Sequence, residues 1–356
     1  MTRDHRSNRQ SNLWQKNNNI LFKIIKMKTI LEPLFKHKTL TKDEAKQVLT
    51  DIALGKYNPS QIASFLTVFI MRNITLDELL GFREALLNLC HKIDLSAYNP
   101  MDVCGTGGDG KNTFNISTLS SFVVAGAGIP VAKHGNYGVS SISGSSNVLE
   151  TLGVVFQTDE TVLKQQIEET NICFLHAPLF HPAMKAVGPI RKELGIKTFF
   201  NMLGPLVNPA FPKIQMTGVF SLELARMYQY LLQEENSQYT VIYGLDGFDE
   251  ITLTDKTKLI TNKGERFIEA KDLGLKNVAF SELYGGETLE EAAAIFTTII
   301  DGKGTESQNN VVLVNAALAI QTYHPNLNLK EAIDQAKESL FGLKAKNSFH
   351  TLKQIQ

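Results

Sequence analysis

Asp102-Val103-Cys104-Gly105-Thr106-Gly107-Gly108-Asp109-Gly110-Lys111-Asn112-Thr113-Phe114-Asn115-Ile116-Ser117-Thr118 reads as a short strand, a Gly-rich turn and the opening of a helix. Glycines at 105, 107 and 108 let the backbone turn sharply and approach a ligand closely. The N–H groups exposed in such a loop make an anion nest. The helix starting near Ser117-Thr118 adds its positive dipole end and hydroxyl donors. A phosphate or pyrophosphate is the guest this chemistry suits. A purely structural turn would explain the glycines, but not Asn115, Ser117 and Thr118 where a core helix would carry apolar residues. The loop lacks the Gly-Lys-Ser/Thr of a Walker A motif and does not follow GxGxxG, so it is neither fingerprint.

Outward from this stretch the chain alternates between short apolar runs and helical patterns. Strands are expected at Asp102-Val103-Cys104, Pro130-Val131-Ala132, Cys173-Phe174-Leu175, Met216 to Val219 and Thr240 to Tyr243, with helices such as Thr118–Ala127 and Leu222–Glu234 between them. That alternation predicts an α/β domain with a mostly parallel central sheet over 96–356. Ligands bind at the carboxyl ends of such strands, where the Gly-rich loops lie. Val311–Ile320 reads as a buried helix, and Leu289–Ile300 as an amphipathic one.

Before Asn99-Pro100 the texture is helical. Thr41 with Glu44, and Thr75 with Glu78, make capping boxes ahead of apolar residues at helical spacing. Residues 27–95 are therefore expected to form a small helical domain, with added helices from about 185–205. The first 26 residues are polar, Asn-rich and basic, with Asp4 their only acid, and are expected to be a disordered extension.

Composition narrows the class. Lys+Arg and Asp+Glu are both 36, which gives no basic excess for nucleic acid. Cys90, Cys104 and Cys173 are too few and too scattered for a disulfide framework or a CxxC metal site, and fit buried thiols in a reducing cytoplasm. No apolar run approaches the ~20 residues that span a bilayer. Neither a nucleic-acid nor a membrane partner is expected.

Three further features bear on chemistry. Lys133 to Ser146 (KHGNYGVSSISGSS) again concentrates glycines, hydroxyls and a cation after a strand, and Lys133 can pair with phosphate as a point charge. Two anion-friendly loops on one sheet edge imply a ligand with two separated anionic groups. Asp249-Glu250, in a Gly-rich loop, is equally well explained locally by a solvated turn; once a phosphate loop is granted, the pair becomes the natural Mg²⁺ seat. Arg191 is read as opening a short helix in a segment punctuated by Gly-Pro and Asn-Pro, and its guanidinium suits a carboxylate.

Together Gly105–Thr118, Lys133-His134-Gly135-Asn136, Gly247-Phe248-Asp249-Glu250 and Phe200 to Pro209 (FNMLGPLVNP) resemble the anthranilate phosphoribosyltransferase family from about Met27 to the C-terminus. The resemblance implies a small helical domain plus a larger α/β domain of the nucleoside phosphorylase and phosphoribosyltransferase type. It implies transfer of phosphoribose from phosphoribosyl pyrophosphate to the amine of anthranilate, in tryptophan biosynthesis, by a homodimer paired through the helical domain. Carried over by position, Gly105, Gly108, Asp109, Thr113, Asn115, Ile116, Ser117 and Thr118 would hold the donor, with Lys133, His134, Gly135, Asn136, Tyr137, Gly138, Val139, Ser140, Ser141 and Ser145. Gly105, Asn136 and Arg191 would face anthranilate. Ser117, Asp249 and Glu250 would bind two Mg²⁺ ions. Tyr137, Ile142 and Asn147 stand where the family commonly has arginine, lysine and aspartate. No general base is required, because an aromatic amine is unprotonated at neutral pH; His134 is an orienting candidate. The rivals are a pyrimidine nucleoside phosphorylase, which needs no Asp-Glu metal pair, and a non-catalytic nucleic-acid-binding relative, which should carry a basic cleft.

Overall fold

The computed structural model describes residues 26–138 and 143–355. The expected disordered extension and the site candidates Val139, Ser140 and Ser141 lie outside those residues, apart from Lys26. The chain divides into two compact units, one of residues 1–89 and 182–199, the other of residues 90–181 and 200–356.

The first unit is helical. It contains α1 (26–35), α2 (Lys42–Ala53), α3 (Pro59–Met71), α4 (Leu76–Leu89) and, returning much later in the chain, α9 (Pro182–Leu194). The expected capping box opens α2, with Thr41 and Glu44 exchanging side-chain and backbone bonds. Helix α2 packs on α4 and α9. Phe65, Phe69, Phe82 and Phe199 fill the centre, the last two stacked with centroids 4.3 Å apart. Two buried carboxylates are satisfied within this unit. Asp51 accepts from Lys26 (2.8 Å) and Lys56 (2.7 Å), and Glu78 from Arg72 and the Leu40 and Thr75 N–H groups.

The second unit is an α/β layer structure. Its strands are β1 (Met101–Val103), β2 (Val131–Gly135), β3 (Ile172–His176), β4 (Ile214–Gly218), β5 (Gln238–Gly244), β6 (Thr257–Thr261) and β7 (Gly264–Ile268). They form one sheet in the order β3-β2-β1-β4-β5-β6-β7. The first five are parallel, as the strand–helix alternation requires, while β6 and β7 extend the edge antiparallel. This hairpin has no counterpart among the expected strands. Helices α5 (Ile116–Gly126), α6 (Ser145–Thr151), α7 (Glu160–Thr170), α8 (Ala177–Phe180), α10 (Leu222–Glu234), α11 (Leu289–Ile300), α12 (Glu306–Tyr323), α13 (Leu329–Phe341) and α14 (Lys344–Leu352) complete the unit. Val311–Ile320 is buried along its whole length and apolar apart from Asn315, as a helix segment enclosed in a core is expected to be. Helices α12 and α14 both pack against α5, fixing the helix that follows the Gly-rich loop.

Candidate active site

Strand β1 is only three residues long, and the chain beyond it is held by β4 instead of by a sheet ladder of its own. Cys104 N–H donates to Met216 O (3.2 Å), Thr217 Oγ1 to Cys104 O (2.8 Å) and Thr106 N–H to Gly218 O (2.9 Å). The loop then turns through consecutive positive φ at Gly107 (59°) and Gly108 (74°), a conformation that L side chains resist. This turn aims the Gly107 N–H at the Asp249 carboxylate, whose Oδ2 accepts it at 2.7 Å across 142 residues of sequence. Asn115 stands at the N-cap of α5 without making a side-chain cap; its Nδ2 donates to Ser143 O (3.1 Å), tying the first loop to the second. The cap position is filled from afar, with Glu250 Oε1 accepting the Ser117 N–H at 2.9 Å. The outer limb is clamped too, by Phe114 N–H to Leu283 O (3.0 Å) and Asn112 Nδ2 to Gly286 O (2.8 Å).

The carboxylate pair is seated by close approach of backbones. A Cβ at Gly218 would lie 1.4 Å from the Asp249 carbonyl oxygen, so only glycine lets the 249–250 loop settle over the end of β4. Asn315 of α12 then pins the next residue, accepting from Ile251 N–H (3.2 Å) and donating to Ile251 O (2.8 Å). Burial, Asp249 and Asp109 together push the Glu250 carboxyl well above its usual range. Clustered carboxylates of this kind fit a hard cation, which would relieve their repulsion. Among the described residues no group of three or more His, Cys, Asp or Glu side chains makes a cage, so a cation here would need further ligands such as a bound phosphate or water.

The second loop begins at the end of β2, a strand whose single register pair with β1, Met101–Val131, lies at its start. Beyond that pair side chains bridge the strands. Lys133 Nζ, buried, donates to Val103 O at 2.6 Å, directly beneath the first loop. Asp102, fully buried, accepts the His134 N–H (3.1 Å) and Asn208 Nδ2 (2.9 Å). Burial is the main cause that raises its carboxyl to about 6. His134 Nδ1 lies 2.9 Å from Gly204 O. A carbonyl only accepts, so Nδ1 carries the hydrogen, and burial keeps the ring neutral with a pKa of about 3. Asn136 O accepts from Ser146 N–H (3.1 Å) and Ser145 Oγ (3.3 Å), and Asn147 Oδ1 from Gly138 N–H (2.8 Å). Tyr137 meets the His176 ring edge to face at 4.7 Å, and His176 Nδ1 bonds Ser146 Oγ (2.8 Å). Asn115, Ser117, Lys133, Asn136, Asp249 and Glu250 thus belong to loops and strand ends on one side of one sheet, with Ser117 bonded to Glu250 and Asn115 to Ser143 of the second loop.

Comparison with known proteins places this architecture. A glycosyl transferase family a/b domain matches residues 97–345, and the corresponding helical bundle domain matches 28–90. The anthranilate phosphoribosyltransferase of Flavobacterium johnsoniae is 61% identical over 329 residues, covering 92% of this chain and 99% of that protein. That of Flavobacterium psychrophilum is 62% identical over 330 residues, covering 93% and 99%. The chain belongs to the anthranilate phosphoribosyltransferase family. Among solved structures, the family member from Thermus thermophilus superposes with a TM-score of 0.83 at 31% identity, covering 91% of this chain and 98% of that one. The Saccharomyces cerevisiae member, in complex with PRPP and Mg, has a TM-score of 0.84 at 27% identity, covering 93% and 97%.

Arg191, the candidate carboxylate partner, lies in the helical unit. The expectation that it opens a short helix is corrected: it stands in the last turn of α9. Gly188-Pro189 does not interrupt this helix, because a proline costs its own N–H bond without obliging the chain to leave the helix when packing holds it. Burial lowers the guanidinium to about 10, which leaves it charged at neutral pH.

Asp102, Asn208 and His181, whose ring lies 5.2 Å from His134, were not among the expected site residues. A carboxylate inside an apolar strand immediately before a Gly-rich loop was the available signal for Asp102. Lys111, also missed, sits over the rings of Phe248 (5.0 Å) and Phe280 (5.8 Å), and its N–H donates to Asp109 Oδ1 (3.0 Å).

Proposed function

We propose that the chain transfers the phosphoribosyl group of 5-phosphoribosyl 1-pyrophosphate to the amine of anthranilate, giving N-(5-phosphoribosyl)anthranilate and pyrophosphate, in tryptophan biosynthesis. The observation that carries this reading is the meeting of an anion nest and a carboxylate pair, through Gly107 N–H to Asp249 and Ser117 N–H to Glu250. In the reaction the bond from ribose C1 to the pyrophosphate oxygen breaks with its electron pair on the leaving group. The amine nitrogen bonds to C1 and then loses its proton to water. The loop N–H groups and the N-terminus of α5 stabilise charge growing on the leaving pyrophosphate. Ser117, Asp249 and Glu250 would hold two Mg²⁺ ions per subunit, which supply charge neutralisation there. Lys133 fixes the underside of the loop, Asn136 and neutral His134 orient the acceptor, and Arg191 takes its carboxylate.

A groove of the helical unit in which Phe35 (61% exposed) and Met71 (79% exposed) stand over the buried Leu34 and Val68 supports pairing of two chains through that unit. The buried Cys90, Cys104 and Cys173, none of them in a disulfide, support a cytoplasmic setting.

The test is the loss of anthranilate fluorescence on adding phosphoribosyl pyrophosphate and Mg²⁺ to the folded chain. An unchanged signal rejects the proposal, and phosphate-dependent cleavage of a pyrimidine nucleoside would put the phosphorylase in its place.

A further inference from the structure

The Gly107 and Ser117 N–H groups are the natural seats for pyrophosphate oxygens, one in the nest and one in the first turn of α5. Both already donate to the chain's own carboxylates, at 2.7 Å to Asp249 and 2.9 Å to Glu250. One N–H carries one hydrogen, so a carboxylate oxygen and a phosphate oxygen compete for it. A free pyrophosphate would also bring its charge against Asp249 and nearby Asp109, in a place where Asp249 is buried and screening is weak. The backbone cannot retreat to make room. Asp249 O lies against Gly218, and Ile251 is held at both its N–H and its carbonyl by Asn315. What can move is the two side chains, by rotation about their own torsions.

We propose that Asp249 and Glu250 make the site selective for the metal-complexed donor, by occupying the Gly107 and Ser117 donors against free phosphate and pyrophosphate. With a divalent cation present, the Asp249 and Glu250 side chains would turn to it and leave both N–H groups to the pyrophosphate that it accompanies. The same two side chains thus exclude the bare anion and admit its magnesium complex. This rests on the phosphoribosyl-transfer reading and extends it to what the site refuses.

The experiment is calorimetric titration of the full chain with inorganic pyrophosphate, once in EDTA and once in excess Mg²⁺. The wild-type chain should bind about 10-fold or more tightly with Mg²⁺ than without, the scale of a single like-charge contact removed. The double variant Asp249→Ala, Glu250→Ala should bind metal-free pyrophosphate about 10-fold more tightly than wild type, and should lose the dependence on Mg²⁺. A carboxylate pair that served only as metal ligand would leave metal-free binding unchanged. Unchanged or weaker metal-free binding by the folded variant therefore overturns the inference, as does a wild-type chain that binds equally well in EDTA. Asp249→Asn, which keeps the shape and removes one charge, decides the matter should the double variant not fold; it too must tighten metal-free binding. A wild-type chain that binds pyrophosphate under neither condition rejects the transferase reading, and this inference with it. Normal Mg²⁺-dependent binding by wild type, with no gain in the variants, overturns this inference alone.

Discussion

Gly218→Ala is a perturbation whose size can be worked from the packing. The added Cβ would lie 1.4 Å from the Asp249 carbonyl oxygen, about 2 Å short of ordinary contact, and the atom it meets is backbone. No side-chain rotation relieves such a clash, so the 249–250 loop must lift from the end of β4. Asn315 holds Ile251 on the far side, which confines the displacement to Phe248, Asp249 and Glu250. Misplacing a catalytic group by 1 Å costs roughly 10²-fold in rate, so kcat/KM should fall by about 10²-fold or more. Overpacking typically costs about 1–3 kcal/mol, so the fold should survive with a Tm lowered by several degrees. Steady-state assays by anthranilate fluorescence, with thermal melting followed by circular dichroism, read both quantities. A Gly218→Ala variant with kcat/KM within about threefold of wild type would refute the argument that this contact seats the carboxylates.

Glu78 supplies a pH prediction for the helical unit. Burial opposes its ionisation, but bonds from Arg72 and from the Leu40 and Thr75 N–H groups outweigh it and hold the carboxyl below its usual value. A depressed folded value means that the stabilisation is present above the unfolded value and is lost as pH falls through the folded one. The Tm should therefore be steady from neutral pH to about 5 and decline below it, with a shallower decline in Glu78→Gln; an equally steep decline there would assign the acid sensitivity elsewhere. Arg191→Ala should raise KM for anthranilate more than KM for the phosphoribosyl donor, and the opposite split would reject its carboxylate role.

The parallel core of the sheet was legible because each of its five strands is a short apolar run ending in a loop of glycines or polar residues. Their helices were equally plain, with Leu222–Glu234 and Leu289–Ile300 falling on the expected residues. The β6–β7 hairpin was not legible. Strand β7, Gly264–Ile268, is exposed along most of its length and reads as Gly-Glu-Arg before any apolar residue, the composition of a guarded edge. Helix α9 was misjudged because a Gly-Pro pair is a local break signal, whereas packing against α2, α3 and α4 decides whether the helix continues.

Within the site, residue chemistry pointed to the two loops and to Asp249-Glu250 as separate features. Their connection could not be read along the chain. The Gly107–Asp249 and Ser117–Glu250 bonds span 142 and 133 residues, and nothing near Asn115 signals that its helix is capped from so far away. Lys133 shows the same limit. A lysine in a Gly-rich loop reads as a solvent-facing phosphate ligand, yet its ammonium is buried against Val103 O and braces the first loop from below.

Stoichiometry separates phosphoribosyl transfer to anthranilate from every rival reaction. The purified chain, anthranilate, phosphoribosyl pyrophosphate and Mg²⁺ are incubated together, and released pyrophosphate is counted against anthranilate consumed. One pyrophosphate is expected for each anthranilate converted to its N-phosphoribosyl derivative, and none when EDTA replaces Mg²⁺. Pyrophosphate released without consumption of anthranilate, or no release from folded protein, would contradict phosphoribosyl transfer to anthranilate.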